Sequence, residues 1–200
     1  MGVDKASLGW NGSTLLEHAL SILREAGTEN VHVVLRAGQE YPSVGTRPGE
    51  IGSGEPGRSR NPEIVRDEGH GPLGGILAAL RRVESRFVVV LAVDLPMVRS
   101  ASVMRIVASA ESGARVVGAS GNDAFETRQP LLSCWNRELV LPDLEHDWER
   151  GERSVMRWLE TQPDVRWETF DPTELTNLND PGDLSALGMA ARDLGNLRSP

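Results

Sequence analysis

Asp94 follows the most apolar run of the chain, residues 87–93, at the kind of strand end where an α/β enzyme places a metal-binding carboxylate. Magnesium takes one or two carboxylates and completes its shell with phosphate oxygens, so a single aspartate is a sufficient protein ligand. The same residue, two before Pro96, is equally at home capping a turn. Gly71, Pro72, Leu73, Gly74 and Gly75 run into an apolar helical stretch. Such a turn offers bare backbone N–H groups and the positive end of a helix to an anion or a polar base edge. It matches neither the Rossmann fingerprint nor the P-loop, and it also reads as a tight turn without a ligand. Lys5 by itself is a solvated lysine. Asn177 and Asn179 stand two residues apart, on one side of an extended segment, where both amides could meet one ligand or serve as turn caps. His70 reads as a loop histidine, Cys134 as a small buried hydrophobe, and the five tryptophans as packing residues.

The elements that must position these residues alternate in type. Thr14 and Glu17 have capping-box spacing, Leu15, Leu16, Ala19, Leu20 and Leu23 share a helical face, and Gly27 stops the helix. Strands are expected at 31–35 and 64–66, a helix carries Ile76, Leu77, Ala79 and Leu80, and the valine-rich run 87–93 suits a strand in the middle of a parallel sheet. A helix over 102–112, strands at 114–117 and 130–135, a helix over 154–159 and a strand at 165–170 continue the pattern. Asp180 before Pro181 marks the start of a last helix. Residues 41–62 hold five glycines and four prolines, a composition for a long mobile loop, and 196–200 reads as a tail. The pattern predicts one doubly wound α/β domain over 1–200, with its ligand outside the carboxyl ends of the strands.

Composition narrows the function classes. The 200 residues carry 21 Lys+Arg against 29 Asp+Glu, a net charge of −8 that disfavours non-specific nucleic-acid binding. Any phosphate-bearing ligand must therefore be held by local features. No apolar run approaches the roughly 18 residues of a membrane span. One cysteine excludes an internal disulfide, and the first thirty residues lack a signal-peptide pattern, so a cytoplasmic location is expected.

Met1-Gly2-Val3-Asp4-Lys5-Ala6, Asp67 followed by Gly71-Pro72-Leu73-Gly74-Gly75-Ile76, Asp94-Leu95-Pro96-Met97, Gln129-Pro130, and Asn177-Leu178-Asn179 before Asp183-Leu184 together resemble molybdenum cofactor guanylyltransferases, nearly end to end. The G-P-L-G-G-I turn is the most specific of these marks. The resemblance implies a three-layer, Rossmann-like nucleotidyltransferase fold with a mostly parallel sheet. It implies transfer of GMP from GTP to molybdenum-bearing molybdopterin with release of pyrophosphate, with Mg2+ as cofactor and other molybdenum-cofactor proteins as candidate partners. Residue by residue, it implies that Lys5 contacts the nucleotide phosphates and Asp94 binds magnesium. Asp67 and the 71–75 turn would lie along the nucleotide, and Asn177 and Asn179 would face the pterin. The chain departs from the family pattern at its start: the first strand and its glycine-rich loop, L-A-G-G-x-S-x-R, are not found before Lys5, as expected of a start placed too late in the reading frame, which the retained downstream residues favour, or of a degenerate copy, and their loss should expose strand edges. Thr176, Asp180 and the length of the 41–62 loop are lesser departures. Related CTP-dependent nucleotidyltransferases and a non-catalytic nucleotide-fold protein are the alternative readings.

Overall fold

A 3-10 turn (Lys5–Ser7) leads into a tight hairpin, β1 (Gly9–Trp10) and β2 (Ser13–Thr14), turned by Asn11 and Gly12 at φ 47° and 84°. The computed structural model describes residues 5–41, 62–67, 70–123 and 127–178. Thr14 then caps α1 (Leu15–Glu25) as its spacing predicts: its hydroxyl accepts from Glu17 N–H at 3.1 Å, and its own N–H donates to Glu17 Oε2 at 2.7 Å. Next come β3 (His32–Arg36), β4 (Glu63–Asp67), α2 (Pro72–Arg82), β5 (Phe87–Leu91), α3 (Ser100–Glu111) and β6 (Val116–Gly121). The chain continues through β7 (Arg128–Asn136), α4 (Arg137–Glu149), α5 (Val155–Thr161), β8 (Val165–Phe170) and a 3-10 turn (Pro172–Leu175).

β3 and β4 pair in parallel, and a four-stranded sheet has the order β5-β7-β6-β8. In it β7 opposes both neighbours while β6 and β8 are parallel, so β5, β6 and β8 run one way. Alternating side chains of the sheet feed two cores. Phe87, Val89, Leu91, Val117, Ala119, Leu132 and Cys134 pack beneath α3 and Ile22 of α1. Val88, Val90, Val116 and Trp135 pack beneath α2, α4 and α5 on the opposite face. Helices on both faces make the three layers expected of the fold. Trp135 and Trp158 stack at 5.4 Å between ring centroids in the second core.

The apolar run 87–93 is not in the middle of a parallel sheet, which corrects the sequence expectation. β5 pairs only with β7, antiparallel, and its other edge carries no strand among the described residues. An unbroken apolar run reports that both faces are covered, as they are here, and says nothing about both edges. α4 is an element the periodicity did not reveal. Its burial is confined to Val140 and Leu144, and Pro142 stands inside it. Residues 42–61, the helix expected after Asp180 and the 196–200 tail lie outside the described residues. No helix among the described residues is long and apolar enough to cross a membrane.

Candidate active site

β5 ends at Leu91, and three residues later Asp94 meets Lys5 across 89 positions of sequence: Lys5 Nζ donates to Asp94 Oδ2 at 3.1 Å. The side chains are 36% and 26% exposed, so the pair lies at the surface and is open to a ligand. Asp94 is tied on a second side, its carbonyl accepting the Leu178 N–H at 2.8 Å. Leu178 is buried with Trp10 and Leu15, so a small apolar cluster holds the 176–178 segment against the Asp94 turn. His18 Nε2, 2.9 Å from the Pro96 carbonyl, fixes the same turn from α1.

Asn177, exposed and adjacent in the chain to Leu178, is bonded in turn to Gln129, whose Nε2 donates to Asn177 Oδ1 at 2.9 Å. A break in register aims Gln129. Gly118 on β6 faces Ser133, the next residue Ala119 faces Gln129, and residues 130–132 have no β6 partner. Bulges of this kind redirect side chains beside active sites. The structure thus brings Lys5, Asp94 and Asn177 together and adds Gln129, whose reach depends on a bulge that no local pattern announces. Asn179 lies outside the described residues.

The 71–75 segment corrects one expectation. It is not a free turn: α2 already starts at Pro72, with Gly71 at φ 85° as its cap. Pro72 has no N–H and Gly75 N–H donates to the Gly71 carbonyl at 3.3 Å, which leaves Leu73 and Gly74 as first-turn donors. The two helical glycines also have packing reasons. A Cβ on Gly74 would stand 2.9 Å from Trp148 Cη2, and one on Gly75 would stand 3.2 Å from both Asp67 Oδ2 and Val34 Cγ1. Asp67, buried at the end of β4, therefore sits directly under the first turn of α2, where a carboxylate is favoured by the helix dipole. Asp67, His70, Gly74 and Trp148 line a groove of about 450 Å3, with His70 edge-on to Trp148.

The donor set suits a hard cation held mainly by a substrate. Among the described residues no group of three His, Cys, Asp or Glu could cage a metal. Asp94 spends one carboxylate oxygen on Lys5, and its Oδ1 makes no hydrogen bond among the described residues. One uncommitted carboxylate oxygen is what magnesium needs when phosphates supply the rest. Nucleophilic catalysis by cysteine is excluded: Cys134 is fully buried in the first core, and burial pushes its thiol up to about 12, with Glu111 adding to the shift.

Comparison with known proteins bears on the family and the fold. A family model described as the MobA-like NTP transferase domain matches residues 1–165. The molybdenum cofactor guanylyltransferase of Ectopseudomonas mendocina is 35% identical over 194 residues, spanning 95% of this chain and 86% of that one. The probable molybdenum cofactor guanylyltransferase of Opitutus terrae is 35% identical over 166 residues, spanning 80% and 71%. Among solved structures, the molybdopterin-guanine dinucleotide biosynthesis protein A of Archaeoglobus fulgidus aligns with a TM-score of 0.65 at 21% identity, over 96% of this chain and 92% of its own. The 2-C-methyl-D-erythritol 4-phosphate cytidylyltransferase of Thermus thermophilus also gives 0.65, at 18% identity over 94% of each chain, which speaks for the fold alone. A strand-end aspartate held by an N-terminal lysine, on a nucleotidyltransferase fold and in a chain this similar to named guanylyltransferases, identifies the protein as a member of the MobA-like NTP transferase family.

Proposed function

We propose that the chain is a molybdenum cofactor guanylyltransferase that transfers GMP from GTP to molybdenum-bearing molybdopterin. The observation that carries this reading is the Lys5–Asp94 pair at the end of β5, with the Asn177 segment bonded to the same aspartate. A phosphate oxygen of the acceptor attacks the α-phosphorus of GTP, the bond from that phosphorus to the α,β-bridging oxygen breaks, and pyrophosphate leaves with the electron pair. The attacking group is already an anion, so no general base is required, and the demand on the protein is charge neutralisation and alignment. The lack of an accessible nucleophilic cysteine at the site is in keeping with that demand.

Lys5 supplies positive charge to the nucleotide phosphates. Asp94 would hold Mg2+, which would neutralise phosphate charge at the site. Asp67 and the first turn of α2, Gly71, Pro72, Leu73, Gly74 and Gly75, lie along the nucleotide, while Asn177 and Asn179 face the pterin. We place the activity in the cytoplasm, in keeping with a single buried, unpaired cysteine. One domain spanning 1–200 accords with two cores that share a single four-stranded sheet.

Thermal unfolding of the purified chain with GTP, ATP, CTP and UTP, each with and without magnesium, tests the reading. A ligand at about 100 times its Kd raises apparent stability by about 2.7 kcal/mol. The expected result is a magnesium-dependent rise with GTP alone. A rise with CTP instead assigns a cytidylyl donor, and a cooperative transition indifferent to all four nucleotides refutes nucleotide transfer by this chain.

A further inference from the structure

We infer that Gln129 is a positioning residue that fixes the amide of Asn177 so that it presents a hydrogen-bond donor, and only a donor, to a phosphate oxygen of a bound substrate. The inference rests on the guanylyltransferase reading for its substrates but not for its geometry. An asparagine amide has two chemically opposite ends, and an exposed one is free to turn either toward a ligand. Here Gln129 Nε2 donates to Asn177 Oδ1 at 2.9 Å, which commits the oxygen to the protein. The Asn177 Nδ2 hydrogens make no hydrogen bond among the described residues and belong to a side chain that is exposed beside the Asp94 turn. Gln129 is itself only 9% exposed and stands where β7 shifts register against β6, so its side chain has less room to turn than that of Asn177.

The orientation matters because both substrates of the reaction bring anionic oxygens. An amide NH2 stabilises such an oxygen, whereas the amide carbonyl in the same place repels it. Position 129 must therefore donate. Glutamine does so; a glutamate of the same length can only accept, and it would turn Asn177 round to present its oxygen. Lys5 offers a charge at the other side of Asp94, and Asn177 adds a directional contact that a lysine on a flexible stem does not provide.

The test uses Gln129→Glu and Gln129→Met in the full chain, with two readouts. In steady-state guanylyl transfer, Gln129→Glu should raise the KM of one substrate about 10–100-fold, the range lost with a hydrogen bond to a charged group, with kcat within about threefold. The substrate whose KM moves, GTP or the phosphorylated acceptor, is the one whose phosphate Asn177 meets. Gln129→Met, which frees the amide without reversing it, should fall between wild type and Gln129→Glu. In the Asn177→Ala background, Gln129→Glu should add nothing.

The second readout needs no turnover. In 15N-edited NMR, inorganic pyrophosphate should shift the Asn177 side-chain amide of the wild-type chain and leave it unmoved in Gln129→Glu. If the wild type shows this shift but transfers no guanylyl group, the proposed function fails and the positioning role stands. Both KM values staying within twofold in Gln129→Glu, or a wild-type Asn177 amide indifferent both to pyrophosphate and to the phosphorylated acceptor, overturns the inference.

Discussion

Replacing Lys5 by alanine removes the cation set 3.1 Å from Asp94 Oδ2, and the exposure of the pair fixes how the loss divides between folding and catalysis. With side chains 36% and 26% exposed, the pair is close to a surface ion pair, worth about 0.2–1 kcal/mol to stability. In a chain of 200 residues, 1 kcal/mol corresponds to about 2–4 °C in Tm, so Lys5→Ala should lower Tm by no more than about 4 °C. Catalysis draws on the same charge differently. A preorganised donor aimed at charge that develops in the transition state contributes about 2.7–4 kcal/mol, or roughly 100- to 1000-fold in kcat. The variant should therefore fold normally and turn over at about 1% of the wild-type rate or below. The assay is pyrophosphate release from GTP in the presence of acceptor, run beside a thermal melt of the same preparation. A kcat within threefold of wild type refutes the catalytic role. A fall in Tm beyond about 10 °C would instead show the lysine to be structural, and the reasoning from exposure would be wrong.

Gly118→Ala places a Cβ 2.5 Å from Trp167 Cζ3, a ring also covered by the Arg128 guanidinium, and should cost about 1–3 kcal/mol in a denaturant melt. Unchanged stability would mean that the ring moves aside freely. Cys134 should be inert to a chromogenic disulfide reagent at pH 8 in the native chain and react fully once unfolded, because burial holds its thiol at about 12. Its raised value makes stability fall as pH climbs from about 9, where the unfolded thiol ionises, toward 12. Glu152 is the opposite case. Hydrogen bonds from Arg157 above all, with the Ser154 N–H, hold its carboxyl at about 2, below the usual 4.5. Its contribution is present above about pH 4.5 and lost as pH falls toward 2, so Glu152→Gln should flatten that limb of the Tm–pH curve.

Local patterns made much of the fold legible. The Thr14–Glu17 spacing depends on chemistry within a few residues and caps α1 where the sequence places it, and the strand expected at 165–170 is there as β8, whereas α2 starts at Pro72, inside the segment read as a turn. What escaped depends on partners distant in sequence. Residues 87–93 could not disclose their place at an edge, because pairing is decided by β7 some forty positions later. α4 escaped because Pro142 and a weakly apolar face disguise it. In the candidate site, Asp94 was suggested by the strand it ends and Asn177 by its spacing from Asn179, whereas Lys5 carried no local signal beyond the family resemblance. Gln129 was visible as part of that resemblance without a role, since its role requires a bulge and a partner 48 residues away. The glycines of α2 suggested a phosphate-binding turn, yet contacts with Trp148, Asp67 and Val34 account for the missing side chains.

The central claim is most directly tested by product analysis. The chain, GTP, magnesium and molybdenum-bearing molybdopterin are incubated and resolved by mass spectrometry, with Asp94→Asn and a CTP reaction alongside. The account predicts a guanine dinucleotide form of the pterin appearing one for one with pyrophosphate, absent in Asp94→Asn and absent with CTP. Pyrophosphate without the dinucleotide, equal product from Asp94→Asn, or a cytosine dinucleotide in preference to the guanine one would contradict it.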